Sequence, residues 1–134
     1  MRIYVDMVGD LFHYGHVELL KNAKALGDYL IVGVHSDAAC ESYKRKPVMN
    51  IRERILVIRA CKYVDEVVED APLVITRSYI KKHGIEKVCH AHDVSEHEEY
   101  AWMYRVPSEL GIFKRLPYTS SISTTDIIKR LEMR

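Results

Sequence analysis

The period of the hydrophobic positions changes several times along the chain. Residues 2–6 are rich in β-forming side chains and lead into Asp6-Met7-Val8-Gly9-Asp10. Over 15–26, Val17, Leu19, Leu20, Ala23 and Leu26 recur at helical spacing, and Gly27 follows as a candidate left-handed cap. Tyr29-Leu30-Ile31-Val32-Gly33-Val34 is almost continuously apolar, which predicts a strand covered on both faces. Strand, helix and strand in so short a stretch make a βαβ unit, and its crossover should be right-handed. The alternation then continues. Asn50, with Glu53 at the third helical position, predicts a capping box that opens a helix running to about residue 61. Residues 64–68 read as a strand, 75–83 as a helix stopped by Gly84, and 87–90 as a short strand. The pattern is least regular over 92–111, which reads as a loop and a helix. Residues 112–116 read as the last strand, and Ser123-Thr124-Thr125-Asp126 caps a final helix over 127–133.

Strands alternating with helices predict a single α/β domain over residues 1–134: a doubly wound, Rossmann-like parallel sheet of about five strands with helices on both faces. A chain of 134 residues suits one such domain. Composition adds little to this, since 48% apolar and 29% charged residues are an ordinary globular mixture. Charge says more. With 20 basic and 19 acidic side chains the formal charge is +1, so the total gives no sign of the basic face that nucleic acid requires. Cys40, Cys61 and Cys89 are scattered and form no C-x-x-C pair, which suits a reducing compartment. The first residues lack the apolar run of a signal peptide, and no stretch approaches bilayer-spanning length. A cytoplasmic protein without membrane insertion is the expectation.

In an open sheet of this kind, ligands bind beyond the carboxyl ends of the strands, where the strand order reverses. The first strand there runs into Val8-Gly9-Asp10-Leu11-Phe12-His13-Tyr14-Gly15-His16. His13 and His16 can face one ligand if Gly15 lets the chain turn closely into the helix, whose free N–H groups favour an anion. The same spacing also fits two surface histidines beside a packing glycine. Ser123 and Thr124 can likewise frame an anion site or simply cap a helix. Lys44-Arg45-Lys46 taken alone reads as a solvated loop. His90, His92 and His97, with Asp93, Glu96, Glu98 and Glu99, read as a polar loop in preference to a metal site.

Several segments carry a resemblance. His13-Tyr14-Gly15-His16 matches H-x-G-H, and Ile122-Ser123-Thr124-Thr125 matches the second half of R-T-x-G-I-S-T-T. Lys44 precedes Pro47-Val48-Met49-Asn50 and Glu53-Arg54; Tyr63-Val64-Asp65-Glu66-Val67 matches Y-V-D-E-V. Val88-Cys89-His90-Ala91-His92-Asp93 is similar to V-x-H-G-x-D. In this order, and covering almost the whole chain, they resemble the cytidylyltransferase branch of the nucleotidylyltransferase superfamily, above all its phosphoethanolamine and phosphocholine enzymes.

The resemblance implies an enzyme that transfers CMP from CTP, with Mg²⁺, to a phosphomonoester and releases pyrophosphate. It implies His13, His16 and Lys44 as the catalytic set. Nucleotide contacts are implied for Val8, Gly9, Asp10, Gly15, Arg54, Lys62, Asp93, Tyr118, Thr119, Ile122, Ser123, Thr124 and Thr125. It also implies a homodimer. Departures from the pattern sharpen these expectations. Met7 stands where the first motif has a glycine, and Gly9 where it has an aromatic residue. Tyr118 and Ser121 replace the arginine and glycine of R-T-x-G, so either Arg115 or Lys114 supplies the missing charge or activity is weakened. Lys62 replaces an arginine before Y-V-D-E-V. Leu73 follows Ala71-Pro72 where an aromatic ring often holds trimethylammonium, which argues against phosphocholine and for phosphoethanolamine, or for an uncharged polyol phosphate such as glycerol 3-phosphate; phosphoethanolamine is the first expectation. Two other readings fit the family pattern: a non-catalytic module that binds nucleotide or a partner, and an adenylyltransferase that uses ATP.

Overall fold

The computed structural model describes residues 1–92 and 97–134. Five parallel strands form one sheet: β1 (Arg2–Met7), β2 (Tyr29–Val34), β3 (Glu66–Val68), β4 (Lys87–Ala91) and β5 (Phe113–Leu116). Their order is β3-β2-β1-β4-β5, so the chain steps outward from β1 in one direction and then returns to its other side. β1 is therefore central, and a crevice opens beyond its carboxyl end and that of β4. The pairing of β1 with β2 runs from Arg2 opposite Tyr29 to Met7 opposite Val34.

The side-chain period of two divides β1 between two cores. Ile3, Val5 and Met7 pack with Leu20 and Ala23 of α1 (Tyr14–Lys24) and Ile58 of α3 (Ile51–Arg59). Tyr4 points to the opposite face, where it meets Ile31, Val88, Ile75 and Met103. Asp6 lies on Tyr4's face of the strand, at its carboxyl end and 1% exposed. Each fully buried aliphatic side chain in these layers contributes about 1.5–3 kcal/mol, enough to hold the strand ends in fixed register.

The caps explain where the helices begin. Asn50 Oδ1 accepts from the Glu53 N–H at 3.0 Å while Glu53 Oε1 accepts from the Asn50 N–H at 3.0 Å, closing the anticipated capping box. Thr76 caps α4 (Arg77–His83), and Gly84 ends it in the left-handed conformation. Ser123 Oγ accepts from the Asp126 N–H and starts α7 (Thr124–Glu132). Three features differ from the sequence reading. α1 ends at Ala25 in the right-handed region, so Gly27 is not its cap. An additional helix, α2 (Asp37–Tyr43), follows β2 and is capped by Ser36. The segment after β4 contains two short helices, α5 (His97–Tyr100) and α6 (Arg105–Glu109), instead of one. Among the described residues, no helix is long and apolar enough to cross a membrane.

Candidate active site

A cleft of about 470 Å³ occupies the crevice beyond β1 and β4. One wall is the turn between β1 and α1. Gly9 takes a positive φ of +68°, and a Cβ there would lie 2.6 Å from Ile58 Cδ1. An aromatic residue at position 9 therefore fits neither the backbone nor the space. Asp10 follows, 4% exposed, and its carboxylate accepts from the Val48 and Met49 N–H groups at 2.8 and 2.9 Å. It ties the turn to the loop that leads into α3.

His13 caps α1: its Nδ1 accepts from the Gly15 N–H at 3.1 Å. His16 Nδ1 accepts from the His13 N–H at 3.1 Å, completing a reciprocal capping pair. A backbone N–H can only donate, so neither Nδ1 carries a proton. In the neutral ring the hydrogen is on Nε2. The two rings stack at 3.9 Å between centroids. Gly15 makes this possible, because a Cβ there would sit 2.8 Å from His13 Cε1 and 3.3 Å from Ile122 Cγ2. Burial, with smaller contributions from the neighbouring His13 and Lys44 charges, pushes His16 down to about 3. Burial also lowers His13. At neutral pH both rings therefore present an uncharged Nε2–H.

The amino end of α7 forms the facing wall. Thr124 Oγ1 donates to the Asp10 carbonyl at 2.9 Å and lies 3.5 Å from His13 Nε2, as its acceptor. Tyr14 OH and Ser121 Oγ, 2.6 Å apart, join the same two elements at the rim. Val8, Tyr118, Thr119, Ile122, Ser123 and Thr125 also line this cleft, and so does Lys44, the residue that ends α2. Imidazole N–H donors, the start of a helix and a lysine thus converge on one space, a donor set suited to a polyphosphate.

Residues 9–130 match the model of the cytidylyltransferase-like family. The chain belongs to that family. It is 46% identical over 133 residues to the ethanolamine-phosphate cytidylyltransferase of Dictyostelium discoideum, a match covering 96% of this chain and 37% of the relative. Identity is 42% over 133 residues to the probable ethanolamine-phosphate cytidylyltransferase of Encephalitozoon cuniculi, covering 99% of this chain and 41% of that protein. The chain thus spans about two fifths of the length of these curated relatives. Among solved structures, the lipopolysaccharide core biosynthesis protein from Thermoplasma volcanium shares the fold. Its TM-score is 0.73 at 24% identity, over 90% of this chain and 98% of that one.

Four expected positions in this cytidylyltransferase-like chain do not face the cleft. Arg54 is fully buried, and its guanidinium is consumed by the protein itself. Nε donates to the Met49 carbonyl at 3.0 Å, and Nη1 to the Val8 and His35 carbonyls at 2.7 and 2.8 Å. Nη2 pairs with Asp37. Arg54 braces the cleft from behind and is not among its lining residues. Lys62 precedes β3, on the opposite edge of the sheet, where its Nζ lies over the Tyr63 ring. Arg115 donates to the His92 carbonyl at 3.3 Å, and neither it nor Lys114 lines the cleft, so neither replaces the arginine missing at Tyr118. Asp93, expected among the nucleotide contacts, lies outside the described residues, as does Glu96.

The sequence reading missed the floor of the cleft. Asp6 Oδ1 accepts from Tyr104 OH at 2.6 Å, and Oδ2 from His35 Nε2 at 3.2 Å. His35 Nδ1 in turn accepts from Tyr43 OH at 3.3 Å. Burial alone would raise the Asp6 pKa, but the His35 and Tyr104 hydrogen bonds and the nearby His35 and His90 outweigh it and hold the group below its ordinary value. The floor therefore keeps a buried carboxylate ionised, surrounded by Tyr43, Tyr100, Tyr104 and His90. The one available signal was the position of Asp6 at the end of the central strand.

Proposed function

We propose that this domain transfers CMP from CTP to a phosphomonoester with release of pyrophosphate, and that the acceptor carries an ammonium group, phosphoethanolamine being favoured. The observation that carries the reading is the convergence of His13 Nε2, Thr124 and the start of α7 on one cleft. The polyphosphate lies against these donors. An acceptor phosphate oxygen attacks the α-phosphorus in line, a new P–O bond forms, and the bond to the bridging oxygen breaks as pyrophosphate leaves. The attacking oxygen is already anionic, so the step needs no general base. Fixed Nε2–H donors stabilise charge that grows on the phosphoryl oxygens, and Lys44 neutralises part of it. Cys40 also lines the cleft, but burial raises its pKa and keeps it a thiol, which fits direct transfer without a covalent intermediate.

Mg²⁺ fits this reading as part of the nucleotide substrate, where it would neutralise the triphosphate. The carboxylates of Asp6 and Asp10 are already taken by internal donors, and among the described residues no three His, Cys, Asp or Glu side chains group to hold a metal.

The acceptor assignment rests on Asp6. A buried anion ringed by aromatic side chains attracts a cation through charge and through the ring faces. Glycerol 3-phosphate has no such group. Leu73 is partly buried against the cluster that holds Tyr4 and offers no ring to a trimethylammonium. The relatives named as ethanolamine-phosphate cytidylyltransferases support the same choice. A homodimer belongs to this reading as well, with Leu56 and Val57 exposed on α3 as apolar contact residues.

The test is pyrophosphate release with Mg²⁺ and CTP or ATP across phosphoethanolamine, phosphocholine and glycerol 3-phosphate. The reading requires CTP-dependent release, greatest with phosphoethanolamine. CTP binding without release from any acceptor would establish a non-catalytic module, and release with ATP alone would reassign the base.

A further inference from the structure

A cleft built for a triphosphate has to supply positive charge, and most of the donors in this one are neutral. The two imidazoles present N–H groups without a net charge, and the amino end of α7 offers only partial charge. Among the described residues lining the cleft, the cationic side chains are Lys44 and Arg45. Arg54 is sealed in the interior, while Lys62, Lys114 and Arg115 stand outside. The polyphosphate end of the cleft therefore has two adjacent cations, one of them a guanidinium that the motif reading left as solvated loop.

Arg45 is placed to act. It is exposed, yet its Nη1 reaches across 80 residues of sequence to donate to Thr125 Oγ1 at 3.1 Å, in the first turn of α7. The carboxylate of Asp10 pins the far end of the same loop through the Val48 and Met49 N–H groups. The loop thus crosses the mouth of the cleft, held at one end by Asp10 and touching α7 at the other. A guanidinium has five N–H donors in a rigid fork suited to phosphate oxygens, and the Thr125 contact occupies one nitrogen. A hydroxyl is a weak partner for an exposed guanidinium, and phosphate is a much stronger one.

We propose that Arg45 is the triphosphate clamp of this domain: it exchanges its Thr125 contact for the β- and γ-phosphate oxygens of CTP and closes the 44–47 loop over the nucleotide. It thereby supplies the charge that Tyr118, on the same cleft, does not. The inference rests on the CTP reading above.

Calorimetry with CTP and CMP, each with Mg²⁺, tests it on the 134-residue chain. Wild type must bind CTP; if it does not, the functional reading itself fails and this inference with it. With wild-type binding established, Arg45→Ala should weaken CTP about 10- to 100-fold and CMP less than about twofold, because CMP lacks the clamped phosphates. Arg45→Lys should fall between, keeping charge but losing the fork. Adding Tyr118→Arg to Arg45→Ala should recover most of the lost CTP affinity. Thermal melts of each variant show that the exposed substitution leaves the fold in place. Equal weakening of CTP and CMP, or a CTP affinity within about twofold of wild type in Arg45→Ala, would overturn the clamp.

Discussion

Removing Arg54 should cost the domain a large part of its stability without any direct effect on nucleotide contacts. The side chain is fully buried and satisfies three backbone carbonyls, at 2.7–3.0 Å, that belong to the β1 exit, the β2 exit and the approach to α3. A hydrogen bond from a charged donor contributes about 1.5–3 kcal/mol, and an unsatisfied buried carbonyl costs a similar amount. Water entering the vacated space would satisfy part of the loss. The net cost of Arg54→Ala is then about 4–6 kcal/mol. A domain of this size has about 5–15 kcal/mol in total. Urea denaturation followed by far-UV circular dichroism reads the difference: with a slope near 2 kcal/mol/M, the midpoint should fall by roughly 2–3 M. Arg54→Lys keeps the charge and three donors but not the planar spread, so its loss should be about half as large. A midpoint shift below about 0.5 M for Arg54→Ala would refute the bracing role. Full stability combined with lost CTP affinity would return Arg54 to the nucleotide.

Three further outcomes follow from the cleft histidines. His16→Ala should lower turnover in the pyrophosphate assay by about 10²–10³-fold with its circular dichroism spectrum unchanged, since it removes one preorganised donor; turnover near wild type would end its assignment. Gly15→Ala places a Cβ 2.8 Å from His13 Cε1, so the ring must turn and turnover should fall at least about tenfold while the protein stays folded. Acid should destabilise the fold. His16 and His90 titrate at about 3 and about 4 when folded, below the ordinary 6.5, so the unfolded chain takes up their protons first as pH falls. Stability is then lost from about pH 6.5 downward, by about 1.4 kcal/mol per unit for each ring, and at pH 5 His16 alone accounts for about 2 kcal/mol. Urea midpoints at pH 7 and pH 5 should differ less in His16→Ala than in wild type, and an unchanged difference would mean that the ring is not desolvated.

Much of the sheet was legible because parallel strands covered on both faces leave continuous apolar runs, as in 29–34, and because Asn50, Gly84 and Ser123 mark helix ends by local chemistry. α2 was not legible: it is only seven residues long, and Cys40 is its buried member, so no periodic stripe announces it. The triphosphate side of the cleft could be read because its residues lie in two compact motifs. The floor could not, since Asp6 acquires its meaning from Tyr104, 98 residues away, and from His35 on a neighbouring strand exit. Arg54 shows the reverse error. Motif resemblance sent it to the nucleotide, although it shares helical spacing with Ile51, Ile55 and Ile58, all turned toward the core. That spacing was the available signal for a buried bracing role.

The way the two histidine rings are tied down has a further consequence. With one nitrogen of each ring spoken for by the main chain, the ligand meets a lone hydrogen and nothing that could take one away. The pair can grip but cannot ferry, so the pace of the chemistry should stay level across the pH range in which the acceptor's phosphate is doubly ionised.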